Sequence, residues 1–257
     1  MDQYFDSDEI NNSEMNKYRN RIYRHYVYAW NEALVPHSLA ELENRGPTMR
    51  YVINTFFPKD KSVTILDLGC GHGTLVYFAH QAGYINTKGV DVSEQQVALA
   101  NTLGIANIAQ GDLMATLNGT QQASLDVVIA FDVIEHFTKG ELIDLVDAIH
   151  RVLKPNGYWI IHTPNSHSPF VGAVRDGDYT HEQAFTPSSV QQLLKASGFA
   201  RFTFAECGPR VHGIKSLIRV ILWWCVRIVL NVANVAETGE TGSHFIWTRN
   251  FYAVAYK

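Results

Sequence analysis

Two groups of residues in this chain combine reactive side-chain types with spacings that would bring them together. The first is Asp67-x-Gly69-x-Gly71-x-Gly73 in "ILDLGCGHGT", followed by Asp91 in "GVDVS". Glycine has no Cβ, so the run permits left-handed turns and lets a ligand lie against bare main chain. A carboxylate at Asp67 accepts a hydrogen bond from an ammonium group and repels a diphosphate. A carboxylate about 20 residues after a glycine turn, as Asp91 is, can take both hydroxyls of a ribose. A dinucleotide turn places its third glycine where this chain has Thr74, which disfavours a nicotinamide-dependent oxidoreductase. The second group is Asp132, Glu135 and His136 in "DVIEHF", at i, i+3 and i+4. If a helix opens there, all three face one side. Alternatively Asp132 caps that helix while Glu135 and His136 bond neighbouring backbone.

Elements that would position these groups alternate in type. "SVTILDLG", "TKGVDVS", "IANIAQGD", "LDVVIAFD" and "YWIIHTPN" read as strands. Between them, "TLVYFAHQAG" and "EQQVALANTLG" read as helices, the latter with Ser93 as N-cap. "GELIDLVDAIHRVLKPNG" reads as an amphipathic helix stopped by Pro155-Asn156-Gly157, and "PSSVQQLLKASGF" as a helix with Pro187 near its start. "ARFTFAE" and "RNFYAVAYK" complete the set as a pair expected to form an antiparallel edge. Alternation of this kind with continuous apolar strands predicts an α/β fold, a doubly wound, mostly parallel seven-stranded sheet covered on both faces. Ligands in such folds bind outside the carboxyl ends of the strands, where both groups fall.

The order of motifs resembles class I S-adenosylmethionine (SAM) methyltransferases over residues 64–199, including "AFDVIEHF" and "RVLKPNGYWII". The resemblance implies SAM as cofactor, with Gly69, Gly71 and Gly73 admitting its methionine portion and Asp67 near its amino group. Asp91, followed by Val92, would hold the ribose. Asp112 would meet the adenine amine, Leu113 or Met114 would pack on the ring, and Phe131 would lie near the sulfonium. "GDYTHEQAFTPSSV" resembles His-x-x-x-(Phe/Trp)-Thr segments of small-RNA terminal-ribose and ubiquinone-pathway methyltransferases. That resemblance implies Asp132, Glu135, His136 and His181 as ligands of a divalent ion such as Mg2+ or Mn2+, with Asp132 standing where the family has glutamate. His136 or His181 could instead serve as general base. His162 in "IIHTPN" reads as a core or site-wall histidine, and Asn165 as an acceptor contact. The expected activity is O-methylation. The chain as a whole looks like methyltransferases associated with bacterial surface polysaccharides, which implies a sugar hydroxyl, on a glycan or lipid-linked saccharide. A polyprenyl quinone precursor is the alternative acceptor, and a SAM-binding protein without turnover the alternative class.

Composition bounds these readings. The 257 residues are 46% hydrophobic and 18% charged with net charge −4, so no electrostatic footprint for nucleic acid is present. Cys70, Cys207 and Cys225 are scattered and form no metal or disulfide pattern. Residues 1–50 are expected to be a mobile acidic N-terminus followed by a helical cap, the helix covering residues 18–34. Residues 51–257 are expected to form the catalytic domain. No secretion-signal pattern opens the chain, which predicts a cytoplasmic location. Residues 208–248 form an insertion with a helical pattern over 214–236. On a helical wheel Lys215, Ser216, Arg219 and Arg227 fall opposite Leu217, Ile221, Trp224, Ile228 and Val232. Two arginines inside a bilayer would cost roughly 2.5–3.5 kcal/mol each. A helix lying at the inner membrane face is therefore expected, with a homodimer contact or burial on the protein's own core as the other possibilities.

Overall fold

The structure is a computed structural model that describes Arg19 and residues 21–23, 35–240 and 245–257. The expected cap helix over residues 18–34 lies outside the described residues, apart from Arg19 and residues 21–23. Helices α1 (Leu39–Leu42) and α2 (Gly46–Phe56) precede the sheet, and α2 runs across the expected domain boundary at residue 50. Strand β1 (Ile65–Leu68) leads into α3 (Thr74–Gln81), β2 (Thr87–Asp91) into α4 (Glu94–Thr102), and β3 (Ile108–Gln110) into α5 (Leu113–Gly119). Strand β4 (Leu125–Phe131) passes through a single 3-10 turn, Ile134–His136, to α6 (Lys139–Val152). Then come β5 (Leu153–Pro164), α7 (Gly172–Arg175), α8 (Pro187–Ala196), β6 (Arg201–Glu206), α9 (Ile214–Thr238) and β7 (Asn250–Tyr256).

The seven strands form one sheet in the order β3-β2-β1-β4-β5-β7-β6. The first five are parallel, and β7 runs antiparallel between β5 and β6. Alternation along each strand splits the core into two layers. Leu66, Leu68, Val128, Ala130, Trp159 and Ile161 face α5, α6 and α8, whereas Ile65, Val127, Ile129 and Ile160 face α1 to α4. Both faces are covered, which is why the strands read as unbroken apolar runs. Helix starts follow capping chemistry. Ser93 accepts from the Gln96 N–H, Asp112 from Ala115, and Thr138 with Glu141 closes a capping box at α6.

Three elements differ from the sequence expectation. Helix α5 occupies a stretch for which no element was expected, because its seven residues carry too short an apolar pattern. The "DVIEHF" segment opens no α-helix; the N-cap of its 3-10 turn is Val133, so Asp132 does not cap it. Helix α6 ends at Val152, and Pro155-Asn156-Gly157 belongs to β5. There Asn156 takes a left-handed φ of 65° and the pairing register with β4 shifts. Gly157 is fixed by crowding: a Cβ would sit 2.9 Å from the Lys154 carbonyl oxygen and 3.0 Å from that of Asp126. Main chain cannot step aside as a side-chain tip does. Gly157→Ala should therefore cost about 1–3 kcal/mol, read as a lower urea midpoint with unchanged slope.

Candidate active site

Strand order reverses between β1 and β4, and the crevice outside their carboxyl ends holds both groups of polar residues. At the end of β1 the chain turns through Gly69, Gly71 and Gly73, all with positive φ. A Cβ at Gly69 would meet Val133 Cγ2 at 2.6 Å, and one at Gly73 would meet Ile108 Cδ1 at 2.7 Å. These two glycines serve backbone shape and the protein's own packing. Space for a ligand opens at Gly71, where the nearest atom to a built Cβ is Gln96 Oε1 at 3.7 Å.

Asp91 organises this turn. Its Oδ2 accepts from the Gly71 N–H at 2.7 Å and its Oδ1 from the Ser93 N–H at 2.8 Å. Burial raises its pKa, and the two N–H bonds pull it back. Val92, next along, is exposed at the rim. Asp112 spends Oδ1 on the Ala115 N–H as the cap of α5. Leu113 and Met114 are half-buried against the core beside it. Phe131 ends β4 and packs on the rings of His162 at 5.5 Å and Tyr252 at 5.7 Å.

Asp67 is 3% exposed, and among the described residues its carboxyl has no hydrogen-bond partner. Burial, with the nearby Asp91 charge, pushes it up to about 8. A buried acid without a donor is a receptor for a cationic group.

The second group is more closely built. Glu135, His136 and His181 each offer a ligand atom, and these lie within 4.8 Å of one another. Asp132 is not among them. It sits at a left-handed φ of 53°, and its Oδ1 accepts from His162 Nδ1 at 2.8 Å. Against the burial of both groups, the pairing holds the aspartate low and the histidine well above its ordinary value, and His162 forms a polar wall of the site. Glu135 is fully buried; Thr163 Oγ1 donates to its Oε2 at 3.1 Å, while Oε1 has no partner. Burial and the Asp132 charge raise its pKa well above the carboxylate range.

Hydrogen bonds fix both imidazoles. Thr180 Oγ1 lies 2.6 Å from Asp178 Oδ1 and 2.9 Å from His136 Nδ1. Its single proton goes to the carboxylate, so His136 must donate from Nδ1, which leaves Nε2 as a bare lone pair. His181 Nδ1 donates to the Arg175 carbonyl at 3.0 Å, which bares its Nε2 likewise. Burial, with the His181 imidazole beside it, lowers His136 to about 4, so it is neutral at physiological pH. The expected contact Asn165 is instead structural: fully buried, it donates to the Ile246 and Thr248 carbonyls. Asp178 and Thr180 belong to the site without having been expected there, and Thr163, expected only as part of the acceptor-side strand end, bonds Glu135. The Asp-x-Thr-His run of "GDYTHEQ" was the available signal.

The described N-terminal residues reach this site. Arg19 donates to Glu141 at 3.0 Å and to Glu182 at 3.3 Å, and the Tyr23 ring lies 6.3 Å from that of His136.

The raised Asp67 has a consequence for stability. Unfolded, the carboxyl loses its proton near 3.8; folded, it keeps it to about 8. The folded state therefore binds more protons across that window, and stability falls as pH rises through it. Asp67→Asn should flatten this slope and raise neutral-pH stability of the ligand-free protein by about 2–4 kcal/mol, measured by urea melts from pH 5 to pH 8.

Comparison with known proteins identifies the family. A methyltransferase-domain family model matches residues 42–201, more than half of the chain. The ubiquinone biosynthesis O-methyltransferase of Idiomarina loihiensis is 28% identical over 148 residues, covering 52% of this chain and 60% of that protein. That of Roseobacter denitrificans is 28% identical over 54% of this chain and 60% of its own length. The match thus spans less than two thirds of these relatives. A SAM-dependent methyltransferase from Archaeoglobus fulgidus superposes with a TM-score of 0.62 at 21% identity, over 84% of this chain and 94% of that one. At that identity the likeness concerns the fold. The chain belongs to the methyltransferase-domain family, and its fold is that of the SAM-dependent methyltransferase from Archaeoglobus fulgidus.

Proposed function

We propose that this enzyme methylates a hydroxyl oxygen and that Glu135, His136 and His181 hold a divalent cation beside it. The observation that carries this reading is the convergence of three bare acceptors: Glu135 Oε1, buried without a partner, and two imidazole Nε2 atoms whose Nδ1 hydrogens are already committed. Glu135, its pKa raised by burial, would hold a proton at this point, and a divalent cation there would displace it. Two imidazoles and one carboxylate suit Mg2+ or Mn2+ with positions open for an acceptor. The Asp178–Thr180–His136 chain and the Arg175 carbonyl supply the outer hydrogen bonds that orient histidine ligands. When bound, such a cation lowers the hydroxyl's pKa and polarises its oxygen.

The remaining work falls to the chain. The donor already carries an activated leaving group, so alignment dominates. Asp67 would receive the donor's ammonium group and Asp91 its ribose. Asp112 would meet the adenine amine with the oxygen its cap leaves over, Leu113 or Met114 would lie on the adenine, and Phe131 would close the methyl end. His162, held by Asp132, keeps a fixed polar wall there and leaves Asp132 unavailable to the cation.

For the acceptor, the relatives named ubiquinone biosynthesis O-methyltransferases favour a phenolic hydroxyl on an aromatic ring. A sugar hydroxyl is the second reading; it rests on the resemblance of the sequence. Parallel turnover assays with dihydroxybenzoates carrying an apolar chain and with saccharide acceptors separate the two.

Chelation should abolish turnover and added Mg2+ or Mn2+ should restore it; full activity in chelator removes the cation from the reaction. Glu135→Gln should lower kcat/KM by about 100-fold, about 3 kcal/mol, with SAM affinity unchanged in calorimetry. Thr180→Val, which frees the His136 ring, should raise the metal concentration needed for half-maximal activity by about tenfold at unchanged saturating kcat.

A further inference from the structure

Helix α9 wears its polarity inside out. Its 25 residues contain one buried side chain, Ser216. The stripe turned to the protein carries polar anchors at helical spacing. Ser216 accepts from the His212 N–H at 2.8 Å, Arg227 pairs with Glu206 at 3.3 Å, and Asn231 accepts from the Trp247 indole at 2.7 Å. Ser216 and Arg227 therefore face inward, opposite the apolar arc as the helical wheel has them. The opposite face is exposed and almost wholly apolar, with Ile218, Ile221, Leu222, Trp224, Val229 and Val232 each more than half exposed. No described residue covers it.

We infer that this face lies in the headgroup–acyl boundary of an anionic membrane. Length and composition alone would let α9 cross a bilayer. Connectivity argues otherwise. Its two flanking strands are neighbours, with Glu206 paired to Phe251, so the chain enters and leaves on the same side. Arg227 on Glu206 and Asn231 on Trp247, one turn apart, hold the helix along the domain, with Trp223 beside Phe170 one turn before them. A helix about 37 Å long, bound flat by its polar stripe, presents its apolar side to a plane.

Charge selects the plane. Residues 207–236 contain Arg210, Lys215, Arg219 and Arg227 and no acidic residue, in a chain whose net charge is −4. Lys215 and Arg219 are exposed and have no acidic partner among the described residues. They flank the apolar face near one end, where they can reach lipid phosphates while their stems lie on apolar surface. A second copy of the chain suits the face less well. One partner helix covers a stripe of about 100°, whereas the apolar side here spans roughly two thirds of the circumference.

The test uses full-length protein with SAM bound, floated with phosphatidylcholine vesicles with and without phosphatidylglycerol. Flotation with the anionic vesicles is expected, with Trp224 quenched by brominated acyl chains and the quenching lost in Trp224→Phe. Leu222→Glu with Val229→Glu, and separately Lys215→Glu with Arg219→Glu, should each weaken partitioning by about tenfold or more with SAM affinity retained. Protein that stays in buffer with both vesicle types overturns the inference. So does a dimer in sedimentation that Leu222→Glu with Val229→Glu converts to monomer, which would assign the face to a second copy.

Discussion

A single carboxylate ties the cofactor half of this molecule together. Asp91 ends β2, yet its two oxygens accept hydrogen bonds from Gly71 in the turn after β1 and from Ser93 at the cap of α4. Two turns from different strands are thereby held by one side chain. The glycine turn needs that brace, because three left-handed residues in five leave few local bonds to fix it. Gly69 packs on Val133 and Gly73 on Ile108, so the same turn also sets where β4's extension and β3 can lie. Asp67 is then left buried with a like charge near it and no donor, a conflict that a cationic ligand resolves. Binding capacity and local instability here have one origin.

The half built on Glu135, His136 and His181 solves the reverse problem. Three acceptors are brought together on two separate segments, the 3-10 turn after β4 and the run before α8. The Glu182 and Gln183 N–H groups both bond the Glu135 carbonyl, so the segments are clamped by main chain as well as through Thr180. Main-chain clamps hold the spacing of the cluster even where side-chain charge opposes it. The left-handed Asp132 turns its carboxylate to His162 and keeps a second carboxylate out of the cluster.

Much of this was legible in the sequence, for identifiable reasons. Buried parallel strands with intervening caps leave strong local signals, and the glycine turn and Asp91 fall at strand ends that those signals locate. Glu135, His136 and His181 stand out because histidine beside glutamate is an uncommon pairing. What the sequence hid was partnership. Whether Asp132 or Thr180 serves the cluster depends on a φ angle and on which way one hydroxyl points. Gly157 looked like a helix stop, whereas its place is set by carbonyls from β4, contacts that local pattern does not carry. The wheel of α9 separated polar from apolar residues but not inside from outside. Only the bonds to Glu206 and Trp247 give that orientation.

The outward face of α9 and the cluster share one connecting segment. Phe170 lies 6.4 Å from Trp223 of α9, and five residues on, the Arg175 carbonyl holds His181 Nδ1. Asn165 and Ser168 at the start of the segment bond the carbonyls of Ile246, Trp247 and Thr248, the return from α9 to β7. A displacement of the helix is thus opposed by hydrogen bonds that end on a residue of the cluster. An acceptor with a long apolar tail would meet the exposed face of α9 and the reactive end of the crevice along one short stretch of chain. Buried polar anchors on the inner stripe are what that arrangement requires. An apolar inner stripe would let the helix slide or turn, whereas Arg227 with Glu206 and Asn231 with Trp247 fix both its height and its rotation.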